Sequence, residues 1–273
     1  FKQKTAYEIG VRLVGSEMCI RDRSYAELSL RMRDRDDPGQ IFDELASRGL
    51  IQTGTPDEVR ERLAETLALE QQAGRSTIAV TSTNAAAQQI NHAVYERLVD
   101  AGVIDPATVT YGRDGDPIAA GAQVATREND RELGVANRQT WTVRGVNADG
   151  RITVADPTTG HHRTLDADYV AEHVQLAYAV TGHGAQGMTV DTAHAVLSDE
   201  MDAAGVYVGM TRGRTANVLH VVAVDEQDAR QQFVEAFTRD SSDRGLDEAR
   251  KQAERDMHGI IACLLYTSDA ADE

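Results

Sequence analysis

Apolar residues at helical spacing mark the first readable element of this chain. Thr55-Pro-Asp-Glu58 places a capping threonine, a proline at the first helical position and a glutamate at the third. Val59, Leu63 and Leu67 then recur on one face. Residues 24–75 as a whole read as helical and charged, a connector that docks through such a stripe. Ser76-Thr-Ile-Ala-Val-Thr81 is a short β-rich run, and Asn84 can cap the next helix, whose stripe is Ile90, Val94 and Leu98. Strand followed by helix opens an α/β unit. Between about Asp105 and Val170 the texture changes, with glycines at 112, 115, 121, 145, 150 and 160 punctuating short alternating stretches. Asp149-Gly150, between Trp141-Thr-Val143 and Arg151-Ile-Thr-Val-Ala155, is a hairpin-turn signal. This predicts a small antiparallel, barrel-like insertion. Val174–Val180, Thr192–Leu197 and Asn217–Val224 follow as near-continuous apolar runs, which suit strands covered on both faces. Helical stretches near 226–239 and 245–261 come last.

Composition changes the picture at the ends. Lys2–Ile9, Leu13–Arg23 and Cys263–Glu273 resemble translated sequencing-library adaptors, so the protein itself is expected to run from about Ser24 to Ala262, with scars over 1–23 and 263–273. Both cysteines, Cys19 and Cys263, fall in those scars. No disulfide framework, thiolate metal site or cysteine nucleophile is then expected. The net charge is −16; the terminal stretches carry +2 and −3, which leaves −15 on residues 24–262. An acidic domain lacks the footprint of a duplex-binding module, although a local groove can still hold a single strand. With no apolar run long enough to span a bilayer and no signal peptide, no membrane partner is expected and the cytoplasm is the default location.

Two segments carry candidate chemistry. Thr181-Gly-His-Gly-Ala-Gln-Gly187 has three glycines within seven residues, backbone that can approach a phosphate closely with its amides exposed. It is no P-loop, because no Gly-Lys-Ser/Thr closes it. Val206-Tyr-Val-Gly-Met-Thr-Arg-Gly-Arg214 places two arginines after an apolar helix edge. A guanidinium offers permanent, bidentate stabilisation of phosphate charge; the same residue at a helix end can instead satisfy carbonyls or a surface carboxylate. His161-His162 lacks a second ligand pair at metal spacing, so no metal site of the chain's own is expected. Trp141, in an alternating strand, reads as core.

Taken in this order, Tyr178–Thr189 and Val206–Arg214 resemble motifs V and VI of superfamily 1 helicases, in the RecD and TraI group. Thr81-Ser-Thr-Asn84 resembles the motif IV region of the relaxase-linked members. Gly121–Asp130 with Gly134–Asn137 resembles the segment before their SH3-like insertion, and Phe233–Arg250 the region after motif VI in conjugative relaxase-helicases of the MobF/TrwC type.

The resemblance implies a RecA-like (P-loop NTPase type) α/β domain with a parallel sheet over 76–110 and 171–225. An SH3-like β subdomain would be inserted at 111–170, with helices at 226–262. It implies the C-terminal motor half of an ATP-dependent translocase of single-stranded DNA. Arg212 would be the arginine finger, and Gln186, Gly187, Arg212 and Arg214 would face the nucleotide. Thr83, Asn84, Arg127, Asn129, Thr181, His183 and Thr189 would lie along the DNA. ATP and Mg²⁺ would be held mainly by a preceding RecA-like domain, itself preceded by a nicking (relaxase) domain, with the conjugation machinery as a wider partner. The chain alone would then hydrolyse little ATP. Gly184 and Ala185 depart from the family pattern, which often has Lys or Arg and then Ser there. That departure leaves open a degenerate DNA-binding platform. A stand-alone repair helicase of the RecD kind is the other alternative.

Overall fold

The structure, a computed structural model, describes residues 24–239. The adaptor-like ends and the expected helix at 245–261 lie outside these residues. A helix over 24–34 (α1) leads into α2 (Pro38–Ser47), β1 (Ile51–Gly54), α3 (Pro56–Gln72), β2 (Thr77–Thr81) and α4 (Asn84–Asp100). β3 (Asp105–Tyr111) and β4 (Pro117–Ala120) form a hairpin. Then come β5 (Gln123–Thr126), β6 (Thr140–Val146), β7 (Ile152–Ala155), β8 (His162–Leu165), α5 (Ala167–His173) and β9 (Val174–Leu176). β10 (Ala179–Thr181), β11 (Val190–Leu197), α6 (Ala203–Gly209), β12 (Gly213–Val222) and α7 (Glu226–Thr238) complete the order.

The central sheet is parallel throughout, in the order β1-β12-β11-β2-β10. Alternate side chains of one strand enter different layers, because successive residues point to opposite faces. Ala195 and Leu197 of β11, with Leu219 and Val221 of β12, pack under α1, α2, α6 and α7, where Phe42 meets Phe233 edge-on with ring centroids 5.6 Å apart. On the other face Ala79 of β2 meets the expected stripes of α3 and α4, including Leu63, Leu67, Val94 and Leu98. The predicted capping box on α3 is present in both directions between Thr55 and Glu58.

Residues 24–75 differ from the all-helical expectation. Ile51–Gly54 is a strand that pairs in parallel with β12 from Ile51↔Leu219 to Gly54↔Val222. Four residues between two helices carry no periodicity of their own; the edge of β12 gives their backbone groups ladder partners, and Arg62 of α3 donates to the Thr53 carbonyl at 2.7 Å.

The region between α4 and β10 is an antiparallel sheet, β8-β7-β6-β5-β9, beside the β3–β4 ribbon. It begins at Asp105 and ends at Leu176, wider than the expected 111–170. The Asp149-Gly150 turn joins β6 to β7 with Gly150 at φ +83°. Trp141 is buried in a core continuous with that of α3 and α4. The apolar run 174–180, expected to be one strand, is divided between two sheets. Val174–Leu176 pairs antiparallel with β5, and Ala179–Thr181 pairs parallel with β2. Asn91 of α4 holds the joint: its Oδ1 accepts from the Tyr178 and Ala179 amides at 2.8 and 2.7 Å, and its Nδ2 donates to the Leu176 and Ala179 carbonyls at 3.3 and 3.1 Å.

A buried polar cluster lies beneath α3. Glu70 accepts from Thr192, whose hydroxyl is 3.1 Å from that of Thr77. His194 Nδ1 is 3.0 Å from His220 Nε2, and its Nε2 lies 3.5 Å from the Glu70 carboxylate, too long for a well-formed hydrogen bond. Burial pushes the Glu70 carboxyl up, but contacts from His194, Thr192 and Thr77 outweigh it and hold the pKa down at about 2. Burial, then the His194 and Arg62 charges, lowers His220 to about 3, so it is neutral near pH 7.

Candidate nucleic-acid interface

Parallel strands present their last residues, and the loops after them, at one edge of the sheet, the usual place for a ligand in open α/β sheets. Thr81 ends β2 and Thr181 ends β10, side by side in register. Beyond that edge lies a cavity of about 230 Å³ between the parallel sheet and the inserted unit. Its walls include Asn84 and Gln88 of α4, Arg113 and Asp114 of the turn between β3 and β4, Arg127 after β5, and Thr181.

Local chemistry explains each placement. Thr83, not Asn84 as expected, caps α4: its hydroxyl accepts from the Ala86 amide at 3.1 Å. Asn84 becomes the first helical residue, and its side chain is left exposed at the cavity. The β3–β4 turn is clasped to α4 by a bond from Gln88 Nε2 to the Asp114 carbonyl (3.0 Å) and by the His92–Asp116 pair (2.8 Å). Asp116, almost fully buried, also accepts from the Leu176 amide at 2.8 Å. The turn that carries Arg113 is thereby fixed to the joint that Asn91 holds.

Arg113 and Arg127 share this wall with Asp114 and Asp116, and Arg138 lies nearby. Partial burial, followed by the charges of Arg113 and Arg138, lowers the pKa of Arg127, while Asp114 opposes the shift. Arg113 lies 3.6 Å from the Asp114 carboxylate and Asp116 is taken up by His92, whereas Arg127 has no ion pair among the described residues, which leaves its charge for an anion to neutralise. Arg138 reaches over to the first motif, its guanidinium donating to the His183 carbonyl at 2.9 Å. Its backbone is left-handed, φ +67°, and is held by an N–H bond to the Thr126 carbonyl at 2.6 Å. A non-glycine residue in that region costs on the order of 1 kcal/mol, which the surrounding contacts must offset.

The segment after Thr181 crosses one face of the sheet, from the end of β10 to the start of β11. Ala185, fully buried, and Met188 pack against Ile78, Val80 and Val180. Thr181 Oγ1 accepts from the Gly184 amide at 3.3 Å. His183, Gln186, Gly187 and Thr189 remain exposed, and Gly187 has φ +81°. A Cβ at Gly184 would lie 3.2 Å from the Thr181 carbonyl and 3.3 Å from Val180 Cβ, so the departure from the family pattern sits in a tight corner.

Arg212 stands at the other end of this crossing. Its guanidinium donates to the Met188 carbonyl at 3.4 Å, the Val208 carbonyl at 3.1 Å and the Thr211 hydroxyl at 3.0 Å. These acceptors are neutral, as at an ordinary helix end. Arg214 takes the alternative read from the sequence: it pairs with Asp191 at 2.9 Å, and hydrogen bonds from Ser76 together with Arg214 lower the Asp191 pKa.

Of the expected DNA-side residues, then, Asn84, Arg127 and Thr181 meet at one cavity, and His183 joins them through Arg138. Thr83 is occupied in capping. Asn129 accepts from the Asn137 amide at 2.9 Å within its own turn, and Thr189 lies toward the opposite edge of the sheet. Sequence reasoning missed Arg113, Arg138 and Gln88. The only local signal was the Gly112-Arg-Asp-Gly115 turn, and nothing local marks Arg138 as a neighbour of His183.

No family model matches the chain. A stretch of 112 residues is 32% identical to an uncharacterised protein of Mycobacterium tuberculosis, covering 36% of this chain and 64% of that one. The multifunctional conjugation protein TraI of Escherichia coli K12 is 32% identical over 77 residues, 28% of this chain and 4% of TraI. A probable conjugal transfer protein, TraA of Sinorhizobium fredii, is 25% identical over 212 residues, 71% of this chain and 19% of TraA. Among solved structures, Bacteroides Pif1 bound to single-stranded DNA superposes with a TM-score of 0.50 at 18% identity, covering 78% of this chain and 53% of that one. The chain thus has an α/β fold with a parallel sheet that resembles the RecA-like helicase fold of Pif1, and it spans less than two thirds of each of these proteins.

Proposed function

We propose that this chain is the second RecA-like half of a superfamily 1 DNA helicase, within a conjugative relaxase-helicase, and that it holds single-stranded DNA at the cavity beside β2 and β10. The observation that carries the reading is the meeting of Asn84, Arg127 and Thr181 with Arg113 in one recess, beside Arg138 on the His183 carbonyl, in an otherwise acidic protein. Amide and hydroxyl groups with guanidiniums suit phosphate and sugar contacts, which position a strand without reading its sequence. In this reading the inserted antiparallel sheet is the SH3-like subdomain. Arg138 supplies the cation that the motif lacks at Gly184, since its guanidinium sits on the carbonyl of the preceding residue.

The crossing from Thr181 to Thr189 joins the two chemistries. Arg138 holds it at the DNA end through His183, and Arg212 holds it at the other through Met188. ATP with Mg²⁺, bound mainly by a preceding domain, would supply the phosphoryl group transferred to water. Toward it this chain contributes Arg212, whose neutral acceptors leave its positive charge uncompensated by those contacts, and the exposed Gln186-Gly187 backbone. A guanidinium at the γ-phosphate stabilises charge spread over the transferred oxygens.

Anisotropy titrations with a labelled dT12 oligonucleotide test the binding half. Affinity is expected to fall with salt, and Arg127→Ala or Arg138→Ala to reduce the slope of log K against log salt by about 0.7 for each phosphate that the variant no longer neutralises. Equal slopes for the variants and the unsubstituted chain would remove the recess as the DNA site. For the motor half, Arg212→Ala in a chain extended to include a preceding nucleotide-binding domain should abolish DNA-stimulated ATP hydrolysis while oligonucleotide affinity stays within about twofold.

A further inference from the structure

Tyr111 lies outside everything assigned so far. Its side chain is 65% exposed, the most exposed aromatic ring among the large apolar side chains at the described surface. It occupies the last position of β3, paired with Pro117 across the ribbon. Two residues further on, Arg113 enters the cavity wall, so the two Cα atoms are at most about 7 Å apart. The ribbon runs back along α4: Gln88 bonds to Asp114 and His92 to Asp116. At 1.5 Å per residue, the step from Gln88 to His92 runs about 6 Å along the helix. Gly112 pins the ribbon in place, since a Cβ there would come within 2.3 Å of the Val174 carbonyl. The ring is thus presented by a fixed support two residues from Arg113, whose guanidinium lies 3.6 Å from Asp114 at the cavity wall.

Resting on the single-stranded DNA reading above, we infer that Tyr111 is a base-stacking platform, and that the strand leaves the arginine recess over the β3–β4 ribbon with one base stacked on this ring. An exposed ring beside a recess that holds Arg127 meets the two requirements of sequence-tolerant single-strand binding: a π-face for a base and a charge for the backbone. Val109 and Val103, also exposed, add apolar surface near the ring.

The test uses the full chain, dT12 and a twelve-residue abasic counterpart with the same phosphates. Trp141 is the sole tryptophan and is buried, so Tyr111→Trp adds an exposed reporter against a constant background. Its emission should be quenched by dT12 and unaffected by the abasic strand. Tyr111→Ala should weaken dT12 binding about tenfold and leave abasic binding unchanged. If dT12 binds by anisotropy while the Tyr111→Trp emission is unmoved and Tyr111→Ala binds normally, the platform is refuted and the recess stands. If the unsubstituted chain binds neither strand, the recess reading falls and the platform with it.

Discussion

Asn91→Ala removes one side chain that makes four hydrogen bonds, all at the point where the chain passes from the inserted sheet to the parallel one. Asn91 is 3% exposed, so water does not replace it freely. Its loss strands the amides of Tyr178 and Ala179 and takes one partner each from the carbonyls of Leu176 and Ala179. A buried donor or acceptor left without a partner costs about 1–3 kcal/mol. The two amides dominate, because a carbonyl has a second lone pair; that sets a range of about 2–6 kcal/mol. The void left by the amide group is polar and admits a water able to serve two of the stranded groups, so the expected loss is about 3 kcal/mol. With a urea m-value of about 2–3 kcal/mol/M, the midpoint should fall by about 1–1.5 M. Asn84→Ala, at the exposed start of the same helix, should move it by less than about 0.3 M. A midpoint shift below about 0.3 M for Asn91→Ala would mean that the joint is held by strand pairing alone, and the account of the split apolar run would fail.

The remaining expectations are read by similar means. Gly213→Ala should destabilise the chain by about 1–3 kcal/mol, because a Cβ there would meet the Ala216 carbonyl at 2.0 Å and the Ala193 amide at 2.9 Å; a stable Gly213→Ala chain in thermal melts would refute that packing. Acidification should destabilise the fold in two steps. His220 is held below its unfolded value, to about 3, so the unfolded state takes up the extra proton and stability drops as pH falls from about 6.5 toward 3. Glu70, also held below its unfolded value, adds a second loss between about 4.5 and 2. His220→Leu should flatten the dependence of the urea midpoint on pH between 7 and 5; an unchanged slope would place its source elsewhere. Arg214→Ala should leave oligonucleotide affinity unchanged and cost under about 1 kcal/mol of stability, as an exposed ion pair does; a loss of DNA binding in that variant would extend the interface to the opposite edge of the sheet.

Much of the α/β frame was legible because its signals are local. The capping box at Thr55–Glu58, the stripes of α3 and α4, the Asp149-Gly150 turn and the apolar runs of β11 and β12 each depend on residues within a few positions of one another, where period and turn chemistry operate. β1 was not legible, since four residues become a strand only when β12 offers an edge. Nor was the division of 174–180, an unbroken apolar run whose break is imposed by Asn91 and Asp116, 83 and 58 positions before Val174. The candidate site divides in the same way. Arg212 and the glycine-bearing loop stand out as short motifs, and Asn84, Arg127 and Thr181 could be named one by one. Their meeting, and the addition of Arg113 and Arg138, could not.

The sequence by itself therefore determined the elements with local signals, their order apart from β1 and the split of 174–180, and the residue types able to hold a phosphate. Tertiary structure alone decided which of them share a cavity, that Arg214 is held by Asp191, that Thr83 is consumed as a cap, and that Arg138 reaches His183 across 45 positions of chain. The physical reason is range: helix period, capping and turns are settled within a few residues, whereas charge clustering and burial are summed over every segment that folding brings within reach.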